Sequence, residues 1–459
     1  MTEPDPQPES QPAPPERARV PQSQASLPAD TATCEADVSS PPRGFLRGLR
    51  TFESFRYRDY AYFFFGALFS NVGTWMQTVA LGWLVWEITG SSSQVGIMQF
   101  LNGAPVWFLV IWAGSLADRV DRRKLLMGAQ VALMVQALAF AVLNQTGSIT
   151  IAWIWILTLL AGVVGALMFP SWQAMVPDLV PRESLLNAIA LSSAQFNAAR
   201  LVGPMLGAAV LAAFGVTEVF YANAASFLFV IWALAVIRPH QVRHAPTDAP
   251  ARGGLLAGIR YAIHHRRIYM HLLSTAALTF FGVSFSTVLP EYADRVLGLG
   301  ASGYAILFGI NGAGALVGAL IIASLPRETR RESIIRWMML GMALGLVALS
   351  FARSIYMAVP VLLFMGAAFL ACNSSINTNL QTAAPPDIRG RVMSLFVLAF
   401  MGLLPLGALA YGGLADLVGP PQAFLLGGLA LLAYAALLLL RPSVLCDPDD
   451  GGCPGVSVT

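Results

Sequence analysis

Two groups of residues in this chain have the types and spacing to do chemistry. The first is Gly114–Lys124, GSLADRVDRRK, where Asp118 and Asp121 stand among Arg119, Arg122, Arg123 and Lys124. Carboxylates interleaved with guanidiniums suit charge-assisted hydrogen bonds, the chemistry of a contact that can be made and broken. The second is Arg200, the one charged residue between Leu185 and Phe214, followed by Gly203, Pro204 and Gly207 in ARLVGPMLGAAV. It lies fifteen residues past Leu185, or about 22 Å along a helix at ~1.5 Å per residue. An arginine at that depth in a bilayer costs about 2.5–3.5 kcal/mol on insertion scales, so it is expected to face a wet cavity and favours anionic or polar substrates over simple cations. Its structural alternative is an arginine bonded to helix carbonyls.

Polar and aromatic residues at similar depth complete a candidate cavity: Asn71, Trp75, Asn102, Asn311, Asn373 and Asn377. Amides so placed bond another helix or line water. Paired catalytic carboxylates, a His/Asp cluster, a nucleotide loop and metal-ligand spacing are all missing from the apolar part of the chain, so it does not read as an enzyme and implies no cofactor. No Asp or Glu falls at the centre of an apolar run; Glu87, Glu218, Glu291, Asp294 and Asp416 sit near run ends.

The elements that must position these residues are long apolar helices. The chain has 459 residues, 56% hydrophobic and 12% charged, with a mean hydropathy of +0.63. Such a composition excludes an ordinary soluble domain and implies a polytopic membrane protein. Net charge is +3, with arginines scattered in short loops, so charge reports topology and not a nucleic-acid partner.

Apolar runs occur at Tyr60–Trp86, Val95–Ala117, Leu125–Leu143, Ile149–Pro170, Leu185–Phe214 and Val219–Ile237. Six more follow at Ile268–Tyr292, Tyr304–Leu325, Ile334–Phe351, Tyr356–Leu380, Val392–Leu417 and Ala423–Leu440. Each is near the ~20 residues that cross the hydrocarbon as a helix, which predicts an all-α protein of twelve transmembrane helices. With the N-terminus inside, the inner loops carry most of the arginines, including Arg182, Arg243, Arg327, Arg389 and Arg391, and the outer loops only Arg295 and Arg353. That asymmetry places both termini in the cytoplasm.

Residues 1–42, rich in Pro, Ser, Gln and Glu, read as a disordered tail without a signal peptide. The expected layout is then a six-helix bundle over 43–237, a cytoplasmic linker over 238–267, a second bundle over 268–440 and a tail over 441–459. GGLLAGIRYAIHHRR within the linker reads as an amphipathic helix on the inner face, with His264, His265 and, just beyond, His271 as interfacial basic residues and not metal ligands. Cys446 and Cys453 read as an incidental pair. The halves echo each other: VPDLVPRESL and PPDIRGRVMSL place Asp178 and Asp387 209 residues apart, and SLADR is answered by ASLPR with Pro326 for the aspartate. Duplication of this kind suits transporters that rock two halves around a central site.

GSLADRVDRRK resembles the signature loop between helices 2 and 3 of the major facilitator superfamily, with Asp121 in place of the usual glycine. SNVGTWMQTVALGWLVWEITGSSSQVG and PPDIRGRVMSL are similar to its multidrug and siderophore exporter branch. ARLVGPMLGAAV resembles the antiporter motif of exporters, with Gln195, Ala199 and Ala208 replacing glycines. The resemblance implies proton-coupled efflux of small amphipathic molecules from the inner membrane by a monomer in the lipid bilayer. It implies further that Gly114, Asp118, Arg119, Arg122 and Arg123 form a latch against the start of helix 11 at Arg389 and Arg391. An uptake or lipid-flipping facilitator is the alternative on the same fold; a sensor or scaffold would need a soluble module that neither tail supplies.

Overall fold

The runs fold as helices because each is apolar over a bilayer's thickness, where only intrahelical bonding satisfies the backbone. The structure is a computed structural model that describes residues 50–109, 120–237, 254–326, 329–385, 388–441 and 445. Gly114, Asp118 and Arg119, the N-terminal tail and nearly all of the C-terminal tail therefore lie outside the described residues.

The first helices are α1 (Arg58–Thr89), α2 (Ser92–Gly103), α3 (Arg122–Gln145), α4 (Ile151–Leu179), α5 (Leu185–Phe214) and α6 (Val216–Val236). A short helix α7 (Gly254–His264) follows. The rest are α8 (Arg266–Val296), α9 (Gly300–Ser324), α10 (Arg331–Phe351), α11 (Ile355–Ala383), α12 (Arg389–Val418) and α13 (Pro420–Leu440). Among the described residues, ten of these helices, α3 to α6 and α8 to α13, are long and apolar enough to cross a membrane. The other two expected spans coincide with α1, a 32-residue helix, and with the run from α2 into residues 110–119, outside the described residues.

Helix α4 departs from its expected end at Pro170: it runs on to Leu179 with Pro170 and Pro177 inside it. Packing against neighbouring helices holds the chain helical past a residue that would end an isolated helix. Helices α8 and α12 are not uniformly wound, each carrying a wider π-type turn, at Leu278–Val283 and Leu398–Gly402.

Packing repeats itself. In the first set α1 touches α5 and α6, α3 touches α4 and α6, and α2 touches α4. Seven places on, α8 touches α12 and α13, α10 touches α11 and α13, and α9 touches α11. The sets meet through α2 with α12 and α5 with α9, a pair of contacts that are each other's counterparts. Small residues allow these approaches: a Cβ on Gly96 would lie 2.6 Å from the Ala408 carbonyl oxygen, and Gly314 and Gly366 let α9 and α11 touch backbone to backbone.

Helix α7 is amphipathic as expected, but its buried side packs on protein. Gly258 and Ala262 are buried and a Cβ on Gly258 would meet Arg391 of α12 at 3.1 Å, while Ile259, Arg260, Ile263 and His264 are exposed. The reading of His271 as an interfacial base is corrected. It is 1% exposed inside α8, with Nδ1 2.7 Å from the Arg267 carbonyl oxygen and Nε2 3.0 Å from Asn379 Nδ2. Asn379 also donates to Glu332, which pairs with Arg267, so the ring is one member of a buried network joining α8, α10 and α11.

Candidate functional site

Arg200 sits at the middle of α5, and the local sequence explains how it is reached. Gly203 and Gly207, three and seven residues on and so on the same face of the helix as Arg200, bring α5 against α1: an added Cβ would lie 2.5 Å from Trp75 Cβ at Gly203 and 2.8 Å from Met76 Cα at Gly207. That approach sets Trp75 beside the arginine. The guanidinium carbon of Arg200 lies 5.7 Å from the Trp75 ring centroid and 5.0 Å from that of Phe369 on α11. Phe196, one turn before Arg200, meets Trp75 edge to face at 6.4 Å. Arg200 is partly buried, and among the described residues no carboxylate pairs with it and no carbonyl accepts from it. The carbonyl-bonded alternative raised by the sequence is therefore not what holds this side chain; two aromatic faces are.

The expected cavity amides separate. Asn373 lies one turn beyond Phe369 on α11, and its Oδ1 is buried with no partner among the described residues. Asn311 instead donates to the Leu362 carbonyl oxygen at 3.2 Å, tying α9 to α11. Asn377 accepts from Gln381 Nε2 at 2.8 Å. Asn71 is partly buried and Asn102 exposed, the latter's carbonyl oxygen against Gly162 of α4. Phe369 was not among the residues singled out from sequence, although its place one turn before Asn373 on the same helix was readable.

The basic loop residues that are described face the first helix set. Arg122 Nη1 donates to Asp178 Oδ2 at 2.9 Å, and Arg123 donates to the Leu234 and Ala235 carbonyl oxygens at the end of α6, where the helix dipole favours a cation. Asp121 caps α3 by accepting from Lys124 N. Arg389 donates locally to the Ala384 carbonyl oxygen at 3.4 Å.

A second cluster joins the two helix sets at the α1–α2 turn, and sequence reading missed it. Asp416 of α12 accepts from Ser91 Oγ at 2.5 Å, Ser92 N at 2.8 Å and Ser93 N at 3.2 Å, capping α2 from outside its own set. Glu291 of α8, 1% exposed, accepts from Ser92 Oγ at 2.6 Å and from Arg295 Nη1 at 2.9 Å. Arg295 also donates to the Gly90 carbonyl oxygen at 3.1 Å and stacks 4.6 Å over Trp86, whose Nε1 donates to Asp294 Oδ2 at 3.1 Å. The turn is thus held by α8 and α12 through both charges and backbone.

A separate apolar hollow of about 460 Å³ opens beside Trp107, Leu272 and the wide turn of α12. It shares no lining residue with the Arg200 neighbourhood.

Known proteins resemble this chain over most of its length. The family model for transmembrane secretion effectors matches residues 50–448. The staphyloferrin A transporter of Staphylococcus aureus is 25% identical over 376 residues, covering 81% of this chain and 93% of that protein. The multidrug efflux pump Tap of Mycolicibacterium fortuitum is 24% identical, covering 82% and 94%, and the enterobactin exporter EntS of Shigella boydii 26%, covering 82% and 90%. Among solved structures, a point mutant of the nucleoside transporter NupG superposes with a TM-score of 0.69 at 11% identity, covering 83% of this chain and 99% of that one. A bacterial homologue of the lysosomal transporter Spinster, in an inward-facing unoccupied conformation, gives 0.64 at 15%, covering 85% and 96%. This all-α, multi-pass membrane protein belongs to the transmembrane secretion effector family of major facilitator superfamily transporters.

Proposed function

We propose that this chain exports small amphipathic molecules, of the drug or siderophore kind, across the inner membrane by alternating access, in exchange for protons. The observation that carries the reading is the α1–α2 turn clamped by Glu291, Arg295 and Asp416. The arginine asymmetry of the loops assigns that end to the outside and both termini to the cytoplasm. Close approaches between the helix sets gather toward the same end, Gly412 against Ser92, Gly96 against Ala408 and Gly82 against Tyr304, with Gly103 against Pro405 and Gly402 against Trp107 deeper. A molecule shut on its outer side has its substrate path toward the cytoplasm, the state in which an exporter loads.

Opening the other way requires the outer clamp to break and a cytoplasmic contact to form. Asp118 with Gly114 and Arg119 against Arg389 and Arg391 is that contact, with Arg122 and Arg123 bracing the loop on Asp178 and α6. The relatives that carry efflux and export in their names support the direction. Inverted vesicles containing the chain, with a panel of dyes and ferric-chelating siderophores supplied in the outside medium, test it. Substrate accumulation that collapses with the pH gradient is the expected result; accumulation indifferent to the gradient overturns proton exchange, and movement only in the opposite sense overturns export.

A further inference from the structure

The geometry points to Arg200, Trp75, Phe369 and Asn373 as a binding site for a carboxylate carried on a flat aromatic body. This assignment rests on the transporter reading above and names the substrate chemistry of its centre.

Four observations meet there. Arg200 is the only charge in α5, fifteen residues from Leu185 and fourteen from Phe214, so it lies as deep as that helix allows. Its guanidinium is contacted by rings at 5.7 and 5.0 Å, and among the described residues none of its N–H groups has a protein partner. A guanidinium is planar, with five donors around its rim and two apolar faces. The two rings lie within cation–π range of the guanidinium, and among the described residues no protein acceptor fills its rim. A carboxylate matches that rim with two parallel N–H···O bonds, whereas a cation is repelled and a neutral amide gains only ordinary hydrogen bonds.

The remaining surroundings define the rest of the ligand. Trp75 and Phe196, packed edge to face at 6.4 Å, offer aromatic surface on which a flat body can lie. One turn beyond Phe369, the buried Asn373 Oδ1 lacks a donor, which a hydroxyl or amine on the ligand would supply. The two rings come from opposite helix sets, Trp75 from α1 and Phe369 from α11. A ligand held by Arg200 therefore sits at the seam that opens and closes, and the arginine's contact with Phe369 is the one that rocking the sets apart would strain.

The test uses the full-length purified chain in lipid nanodiscs and three probes with one aromatic body: 1-pyrenebutyrate, its primary amide and 1-pyrenebutylamine. Binding is read by quenching of intrinsic tryptophan fluorescence. The carboxylate is expected to bind about tenfold or more tightly than the amide, and the amine weakest. Arg200→Gln removes the preference for the acid without abolishing amide binding, and Arg200→Lys restores only part of it, since an ammonium lacks the two-pronged rim. Equal binding of acid and amide by the wild-type chain overturns the site, and that comparison stands even where a variant fails to fold. Tighter binding of the amine overturns it as well. Vesicle efflux of neutral and cationic dyes with no acid preference in the binding series would leave the exporter standing and remove the anion site. Acid-selective binding with no movement of any probe would do the reverse.

Discussion

Gly203 and Gly207 show how a residue type becomes a structural demand. Their spacing and the intervening Pro204 mark a packing seam in the sequence, and the structure supplies what the sequence lacked: the partner is α1, and the approach places Trp75 at Arg200. Replacing Gly207 with Leu is expected to cost about 1–3 kcal/mol, because its Cβ would need the space of Met76 Cα and helix backbone does not yield as a side-chain tip does. A thermal-unfolding series in detergent checks this, and an unchanged midpoint would mean the helices are not so close. Arg200 itself was legible because a single central charge in an apolar helix is conspicuous. Glu291 and Asp416 were not, because a carboxylate at the end of a membrane helix is in its ordinary place. Only their contacts with Ser91, Ser92 and Ser93, roughly two to three hundred residues away in sequence, distinguish them.

At the scale of elements, the α1–α2 turn is a helix start whose cap comes from another helix. Ser91 caps α2 in the usual way, accepting from Gln94 N at 3.4 Å, and Asp416 satisfies two further backbone donors of the first turn. Asp416→Ala removes that external cap and its favourable interaction with the helix dipole, a loss of about 1–2 kcal/mol in the clamped state alone. Hydrogen exchange of the Ser92, Ser93 and Gln94 amides is expected to quicken by about tenfold, with amides in the α9–α11 seam unmoved. Uniform quickening across both regions would mark a general loss of stability and remove the clamp from the account. The existence of the helices was readable from apolar length, and α7 from its amphipathic pattern. What covers each face was not: α7 lays Gly258 against Arg391, and His271 turns inward to Asn379, because burial depends on neighbours distant in sequence.

At the scale of the whole molecule, the repeated pairing of helices makes the contact of α2 with α12 and that of α5 with α9 mirror one another. Under the proposed alternating access, two contacts related in this way would act as hinges on one seam, so that closing one end opens the other. Glu291 and Arg295 with the turn, and Asp416 with Ser91, lie at one end; Arg200 lies partway down. If rocking is the transport motion, locking the clamped end stops it with the substrate site still accessible from the cytoplasm. A Ser91→Cys, Asp416→Cys pair, in a chain whose four native cysteines are replaced, is the trial of that lock, since the native Oγ and Oδ2 meet at 2.5 Å, and the crosslinked fraction is counted on a non-reducing gel before transport is read. Oxidation is expected to arrest efflux and reduction to restore it, while binding of 1-pyrenebutyrate persists in both states. The single-cysteine chains control for loss of the clamp itself, and they are expected to respond to neither reagent. Undiminished efflux through a fully crosslinked pair would show that this end need not open, and transport would then have to pass by a route other than the seam between the two helix sets.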